Sequence, residues 1–121
     1  MKRLLIVDDE DYTQAMAAAC ARRGIEAYRV GTGREAVEFF LQVRPDVVLL
    51  DFHLPDMDGI AVYKEIKAVD AGADVYFISG NPTEDVQHKA EQLGAKGFFV
   101  KPVNLLSVVH ALVPQDPFSM D

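Results

Sequence analysis

The stretch Leu4-Leu5-Ile6-Val7-Asp8-Asp9-Glu10-Asp11 runs four apolar residues straight into four carboxylates. The pattern returns three times. Val47-Val48-Leu49-Leu50 ends in Asp51, Tyr76-Phe77-Ile78 ends in Ser79, and Gly97-Phe98-Phe99-Val100 ends in Lys101-Pro102. Each run has the length and composition of a buried strand. If the strands are parallel neighbours, their C-terminal groups converge on one small site. Packing has no use for such a cluster, because like charges ~4 Å apart repel by about 4 kcal/mol even at an effective dielectric of ~20. Something cationic must occupy it, and a hard divalent ion is the natural candidate.

Working outward, short apolar runs alternate with amphipathic segments, the mark of βα units around a parallel sheet. Strands are expected at residues 3–7 (β1), 25–30 (β2), 46–50 (β3), 73–78 (β4) and 97–100 (β5). Helices are expected at 11–22 (α1), 33–43 (α2), 58–69 (α3), 83–92 (α4) and 103–112 (α5). Gly24, Gly31, Gly33, Pro45, Gly72, Pro82 and Gly94 punctuate the breaks. Thr83 before Glu84 and Asp85 reads as a helix start with acids at the positive end of the dipole. The fold class is α/β. Five such units fit the flavodoxin-like doubly wound order 2-1-3-4-5, with helices on both faces. That topology binds ligands beyond the strand C-termini, at the β1/β3 switch point. The carboxylates after β1 and β3 fall there.

The bulk numbers agree. A chain of 121 residues, half of them hydrophobic, has the size and composition of one compact domain with one real core. A net charge of −7, from 12 basic and 19 acidic residues, argues against nucleic-acid binding. Cys20 is the only cysteine, in the small-residue run 15–21, so it reads as a packed thiol in a reducing compartment. The apolar run after Met1-Lys2-Arg3 is too short for a signal-peptide core or a membrane span. The expected location is the cytoplasm, and the expected domain is 1–113. The segment 114–121, with Pro114 and Pro117, is expected to be an extended tail or the start of a linker.

Each site residue has a plainer alternative. Acids after one strand are often solvated loop residues, but Asp8 and Asp9 facing Asp51 make a metal site the stronger reading. Mg²⁺ fits best, since it takes few carboxylates and keeps several waters. Glu10 and Asp11 are assigned to the start of α1. Asp51 beside a metal is a nucleophile candidate, because carboxylates form acyl phosphates. Asp56 and Asp58 read as shaping the turn into α3, with Gly59 easing the backbone. The His53 backbone carbonyl is placed to complete the metal shell; its ring either faces solvent or touches the chemistry. Lys101 points at an acidic pocket, where an ammonium suits a phosphoryl oxygen or the carboxylates themselves. Lys101-Pro102 is a candidate cis bond. Ser79 offers a hydroxyl, and Gly80 leaves room beside it.

Together, Ile6-Val7-Asp8-Asp9-Glu10, Val48-Leu49-Leu50-Asp51, Leu54-Pro55-Asp56-Met57-Asp58-Gly59, Ile78-Ser79-Gly80 and Phe99-Val100-Lys101-Pro102 resemble the receiver domain of two-component response regulators, chemotaxis regulators among them. The pieces stand in family order and spacing from residue 4 to about 112. The resemblance implies that Asp51 accepts a phosphoryl group from the phosphohistidine of a sensor kinase or phosphotransfer protein, in a Mg²⁺-dependent reaction. Asp9, Asp51 and the His53 carbonyl would bind the metal directly, and Asp8 mainly through water. Lys101 would contact the phosphoryl group, Ser79 would turn to hydrogen-bond it, and the α4-β5-α5 surface would switch. Phe98 takes the aromatic switch position where the family often has tyrosine, so any hydroxyl-dependent coupling there is absent. His53 and Asn81 take the two positions that tend to tune phosphoryl lifetime.

Three rivals make other demands. A haloacid-dehalogenase-type hydrolase usually has a second acid two residues after its nucleophile, where this chain has His53. A flavodoxin-like flavin binder needs a phosphate loop after β1, where Asp8 to Asp11 would repel phosphate. A phosphorylation-independent receiver-like interaction domain would not need every reactive position filled. In the last helix, Leu105, Val108, Val109 and Leu112 share one face and are expected against the sheet. Val103, Leu106, His110 and Val113 form a second, flanking strip. Residues 103–113 contain no Lys, Arg, Asp or Glu. Leu106, His110 and Val113 are therefore candidates for a docking face used by a second copy or an effector.

Overall fold

A computed structural model describes residues 3–81 and 83–112. Five strands and five helices alternate: β1 Arg3–Val7, α1 Tyr12–Arg22, β2 Glu26–Val30, α2 Gly33–Val43, β3 Val47–Asp51, α3 Gly59–Val69, β4 Asp74–Ser79, α4 Glu84–Leu93, β5 Gly97–Val100 and α5 Leu105–Leu112. The strands form one parallel sheet in the order β2-β1-β3-β4-β5. β1 and β3 lie inside the sheet with both faces covered, which is why they read as unbroken apolar runs.

Side-chain alternation splits the core in two. Leu5, Val7, Val48, Leu50, Val75 and Phe77 face Ala36 and Phe40 of α2, Val62, Tyr63 and Ile66 of α3 and Ala90 of α4. Leu4, Ile6, Val47, Leu49, Tyr76 and Ile78 face Met16, Ala17 and Cys20 of α1 and Val108 of α5. Burial of either set from water is worth on the order of 1.5–3 kcal/mol per large side chain. Cys20 is fully buried, and burial pushes its thiol pKa up, so it packs as an apolar group.

Four helix starts fall later than expected, those of α1, α3 and α4 by one residue and that of α5 by two. α1 begins at Tyr12; Asp11 is its N-cap residue but makes no side-chain capping bond. α5 begins at Leu105, two residues later than its spacing suggested. Asn104 stands before it and accepts the Leu106 N–H at 2.7 Å, a side-chain cap that apolar periodicity does not register. Val103 consequently lies outside the helix, and it is buried in the α1/α5 core layer instead of the flanking strip. Leu106 and His110 are exposed. The side chains of Leu105 and Leu112, Val113, and the tail 114–121 lie outside the described residues. Among the described residues, no helix is long and apolar enough to cross a membrane.

Candidate functional site

The site is built from four strand ends. Asp8 follows β1 directly, and its backbone N–H donates to Val30 O at 3.0 Å, holding the turn against β2. Its Oδ1 accepts the Glu10 N–H at 2.9 Å. Asp51 is the last residue of β3, in register with Ile78. Its Oδ1 accepts the His53 N–H at 3.0 Å. Ser79 ends β4, fully buried, and its Oγ accepts the Asn81 N–H at 3.0 Å. The Lys101 N–H donates to Ser79 O at 2.9 Å, so the end of β5 is tied to the end of β4. The peptide between Lys101 and Pro102 is cis.

Gly59 explains how closely the next helix follows. A Cβ there would stand 2.2 Å from Asp51 O and 2.9 Å from Phe52 Cα, and neither backbone atom can yield. Only glycine lets α3 start against the strand that carries Asp51. Asp58 caps α3 by accepting the Ile60 N–H at 2.7 Å. Asp56 has a different role from the one expected. It reaches back to α2, accepting the Gly33 and Arg34 N–H groups at 2.8 and 3.0 Å, and so fastens the β3–α3 loop to a helix N-terminus.

The charges meet at Lys101. Its Nζ lies 2.7 Å from Asp51 Oδ2, 2.9 Å from Asp8 Oδ2 and 3.2 Å from Glu10 Oε1. Its side chain is 9 % exposed. Burial alone would lower the lysine pKa, but the hydrogen bond to Asp51 and the charges of Asp51 and Asp8 outweigh it and hold the ammonium well above its ordinary value. Burial pushes the Asp51 carboxyl up, with the Lys101 and His53 bonds opposing. Carboxylate oxygens of Asp8, Asp9 and Asp51 all lie within 4.8 Å of one another. Asp8 Oδ2 is buried and, among the described residues, has no hydrogen-bond partner beyond its ion pair with Lys101. Oxygen donors at this spacing, one of them orphaned, fit a small hard cation.

Of the remaining residues singled out by sequence, His53 and Asn81 are exposed beside the site. Phe98 is half-buried, its ring 6.0 Å from that of Phe52, on the α2/α3/α4 side of the sheet. Glu10 was assigned to the start of α1; its side chain instead reaches Lys101. The acidic run 8–11 is visible in sequence, but nothing in it shows which carboxylate turns toward Lys101. Tyr12 was not foreseen either. Its hydroxyl is buried and, among the described residues, makes no hydrogen bond; burial raises its pKa, with Asp8 adding to the rise.

Comparison with known proteins bears on the family and the fold. The family model described as response regulator receiver domain matches residues 4–113. The chemotaxis protein CheY of Thermotoga maritima is 38% identical over 113 residues, 92% of this chain and 94% of that protein. The regulatory protein AtoC of Escherichia coli is 35% identical over 106 residues, 87% of this chain; the match spans only 23% of AtoC. Among solved structures, a CheY-like receiver domain protein of Methanospirillum hungatei superposes with a TM-score of 0.85 at 23% identity, covering 93% of this chain and 90% of that one. At that identity the likeness concerns the fold.

Proposed function

Because the chain belongs to the response regulator receiver domain family, we propose that it is a phosphorylation-dependent signalling receiver whose phosphoacceptor is Asp51. The donor is the phosphohistidine of a sensor kinase or phosphotransfer protein. A carboxylate oxygen of Asp51 attacks phosphorus, the P–N bond breaks, and the leaving imidazole takes up a proton. The observation that carries the reading is Lys101 held between Asp51 and Asp8 at a strand-end carboxylate cluster.

Asp9, Asp51 and the His53 carbonyl would hold Mg²⁺, with Asp8 acting through water. The ion supplies positive charge over the oxygens of the transferring group. The chain's own residues do the rest. Lys101 already bonds Asp51 and needs only to exchange one carboxylate for a phosphoryl oxygen. Ser79 has its Oγ beside the Asn81 N–H; turning the hydroxyl toward Asp51 offers a donor to the phosphoryl group. Because Lys101 N–H is bonded to Ser79 O, movement at either strand end reaches the other.

Phe98 on β5 would follow that movement without any hydroxyl bond, biasing the α4-β5-α5 surface between two pre-existing states. That surface carries Val100 and Leu106, 48% and 57% exposed. It is the proposed contact for a second copy or an effector, with His110 at its edge; Val113, the other candidate from the sequence, lies outside the described residues. His53 and Asn81 flank the path of water to Asp51 and are the proposed determinants of phosphoryl lifetime. Apart from assisting its own phosphorylation and dephosphorylation, the domain turns nothing over.

The test is incubation with acetyl phosphate, with and without Mg²⁺, followed by intact mass. A gain of ~80 Da that requires Mg²⁺ and is removed by hydroxylamine is the expected result. Equal uptake by Asp51→Asn would assign the acceptor elsewhere.

A further inference from the structure

We propose that Glu10 is a positioning residue for Lys101: a carboxylate outside the metal cluster that competes with an incoming phosphoryl group for the lysine ammonium. The proposal rests on the reading of Asp51 as phosphoacceptor. Among the described residues, the ion pairs of Lys101 are with Asp51, Asp8 and Glu10. An ammonium has three donors and no acceptor. Hydrogen bonds run to Asp51 and Glu10, and Asp8 is held as an ion pair at 2.9 Å; a phosphoryl oxygen that draws Nζ to itself competes with these carboxylates.

The three partners are not equivalent. Asp8 and Asp51 belong to the oxygen cluster that fits a cation, with Asp9; Glu10 does not. Once a divalent ion shares the charge of Asp8 and Asp51, Glu10 is the partner whose full charge still draws Lys101. Its backbone is clamped from both sides. The Glu10 N–H donates to Asp8 Oδ1 at 2.9 Å, and its carbonyl accepts from Thr13 N at 3.2 Å and Thr13 Oγ1 at 2.6 Å. Thr13 is fully buried. The clamp aims a half-exposed side chain across the mouth of the site at Nζ. Lys101 thus has a resting partner that it must leave when the phosphoryl group arrives, and Glu10 slows phosphorylation by small anionic donors.

A half-exposed ion pair of this kind shifts an equilibrium by at most about fivefold, which sets the size of the effect. The variants are Glu10→Gln, Glu10→Asp, which keeps the charge but loses the reach, and Asp11→Asn, which removes a neighbouring charge not paired with Lys101. Each is made in the parent protein and in a Lys101→Met background. Two quantities are measured: the initial phosphorylation rate with acetyl phosphate and Mg²⁺, and the ¹⁵N resonance of Lys101 Nζ in metal-free protein in EDTA. Glu10→Gln and Glu10→Asp should both raise the rate about two- to fivefold and both move the Nζ resonance. Neither should change the rate in the Lys101→Met background. Asp11→Asn should leave the resonance in place.

The proposal is overturned if the rate increase survives in the Lys101→Met background, or if Asp11→Asn matches Glu10→Gln in both measurements. Glu10 is then only bulk negative charge. An Nζ resonance unmoved by Glu10→Gln overturns it as well, and that arm needs no phosphorylation. If no protein takes up phosphate, the phosphoacceptor reading has failed, and the resonance alone decides whether Glu10 holds Lys101.

Discussion

Replacing Lys101 by methionine keeps a flexible stem of similar length and removes the one charge that reconciles Asp8 with Asp51. Both carboxylates are buried, and with Asp9 they offer oxygens within 4.8 Å of one another. At that distance two unit charges repel by about 3.5 kcal/mol at an effective dielectric of ~20. The protein has an escape, which is to protonate one carboxylate. Carrying a carboxylic acid of ordinary pKa neutral at pH 7 costs about 4 kcal/mol. The two routes cost nearly the same, so Lys101→Met should destabilise the metal-free protein by roughly 3–4 kcal/mol at pH 7. For a domain of this size that is a fall in Tm of roughly 10–15 °C.

The pH dependence has a defined sign. The Lys101 pKa is raised in the folded state, so its contribution is fully present below the ordinary lysine value and is lost as pH rises through the folded one. The Asp51 carboxyl is raised by burial, so its own contribution is greatest in acid and declines as pH rises past the usual carboxylate range. Once the carboxylates are protonated there is no repulsion for Lys101 to offset. Thermal and urea unfolding followed by far-UV circular dichroism in EDTA, at pH 7 and near pH 3, measure both. A large gap at pH 7 that closes near pH 3 is expected. A gap under about 1 kcal/mol at pH 7, or one of equal size at both pH values, would refute the reasoning.

Three further outcomes are expected. Gly59→Ala places a Cβ 2.2 Å from Asp51 O; it should cost about 1–3 kcal/mol by overpacking and slow phosphorylation more than a stability loss alone would, as melting and acetyl phosphate uptake can show. The Asp56 carboxyl is held low chiefly by the Gly33 N–H, so its contribution is present above the ordinary aspartate pKa and lost as pH falls through the folded value. Asp56→Asn should therefore lower Tm more at pH 7 than near pH 3, and a pH-independent gap would contradict this. Leu106→Glu changes an exposed side chain; the unfolding free energy should change by no more than about 0.5 kcal/mol, as is usual for surface substitutions, while self-association in sedimentation falls, and a large loss of Tm with association intact would place Leu106 in the core.

Much of the fold is legible because β1, β3 and β4 are covered on both faces, which leaves runs such as Val47–Leu50 with no polar residue to blur them. The doubly wound order then follows from five βα units and fixes which strand ends meet. What periodicity misses is decided by single side-chain bonds. Asn104 starts α5 after Val103, and Asp56 caps a helix 23 positions earlier in the chain, accepting from Gly33. Glu10 is misassigned for a related reason. A carboxylate just before a helix is equally well explained by the helix dipole, and only the turn set by Asp8 and Thr13 shows that its side chain crosses to a lysine 91 residues away. Asn104 was a readable capping signal; the crossing of Glu10 was not.

The proposed phosphoacceptor can be tested chemically. Treating the protein with acetyl phosphate and Mg²⁺, then reducing with borohydride, converts an aspartyl phosphate to homoserine, which is ~14 Da lighter than aspartate. Peptide sequencing by tandem mass spectrometry should find that change at residue 51 alone, and nowhere when Mg²⁺ is withheld. Homoserine at Asp8, Asp9 or Asp56 in place of Asp51, or no reduction product under conditions where the mass gain is seen, would contradict the assignment.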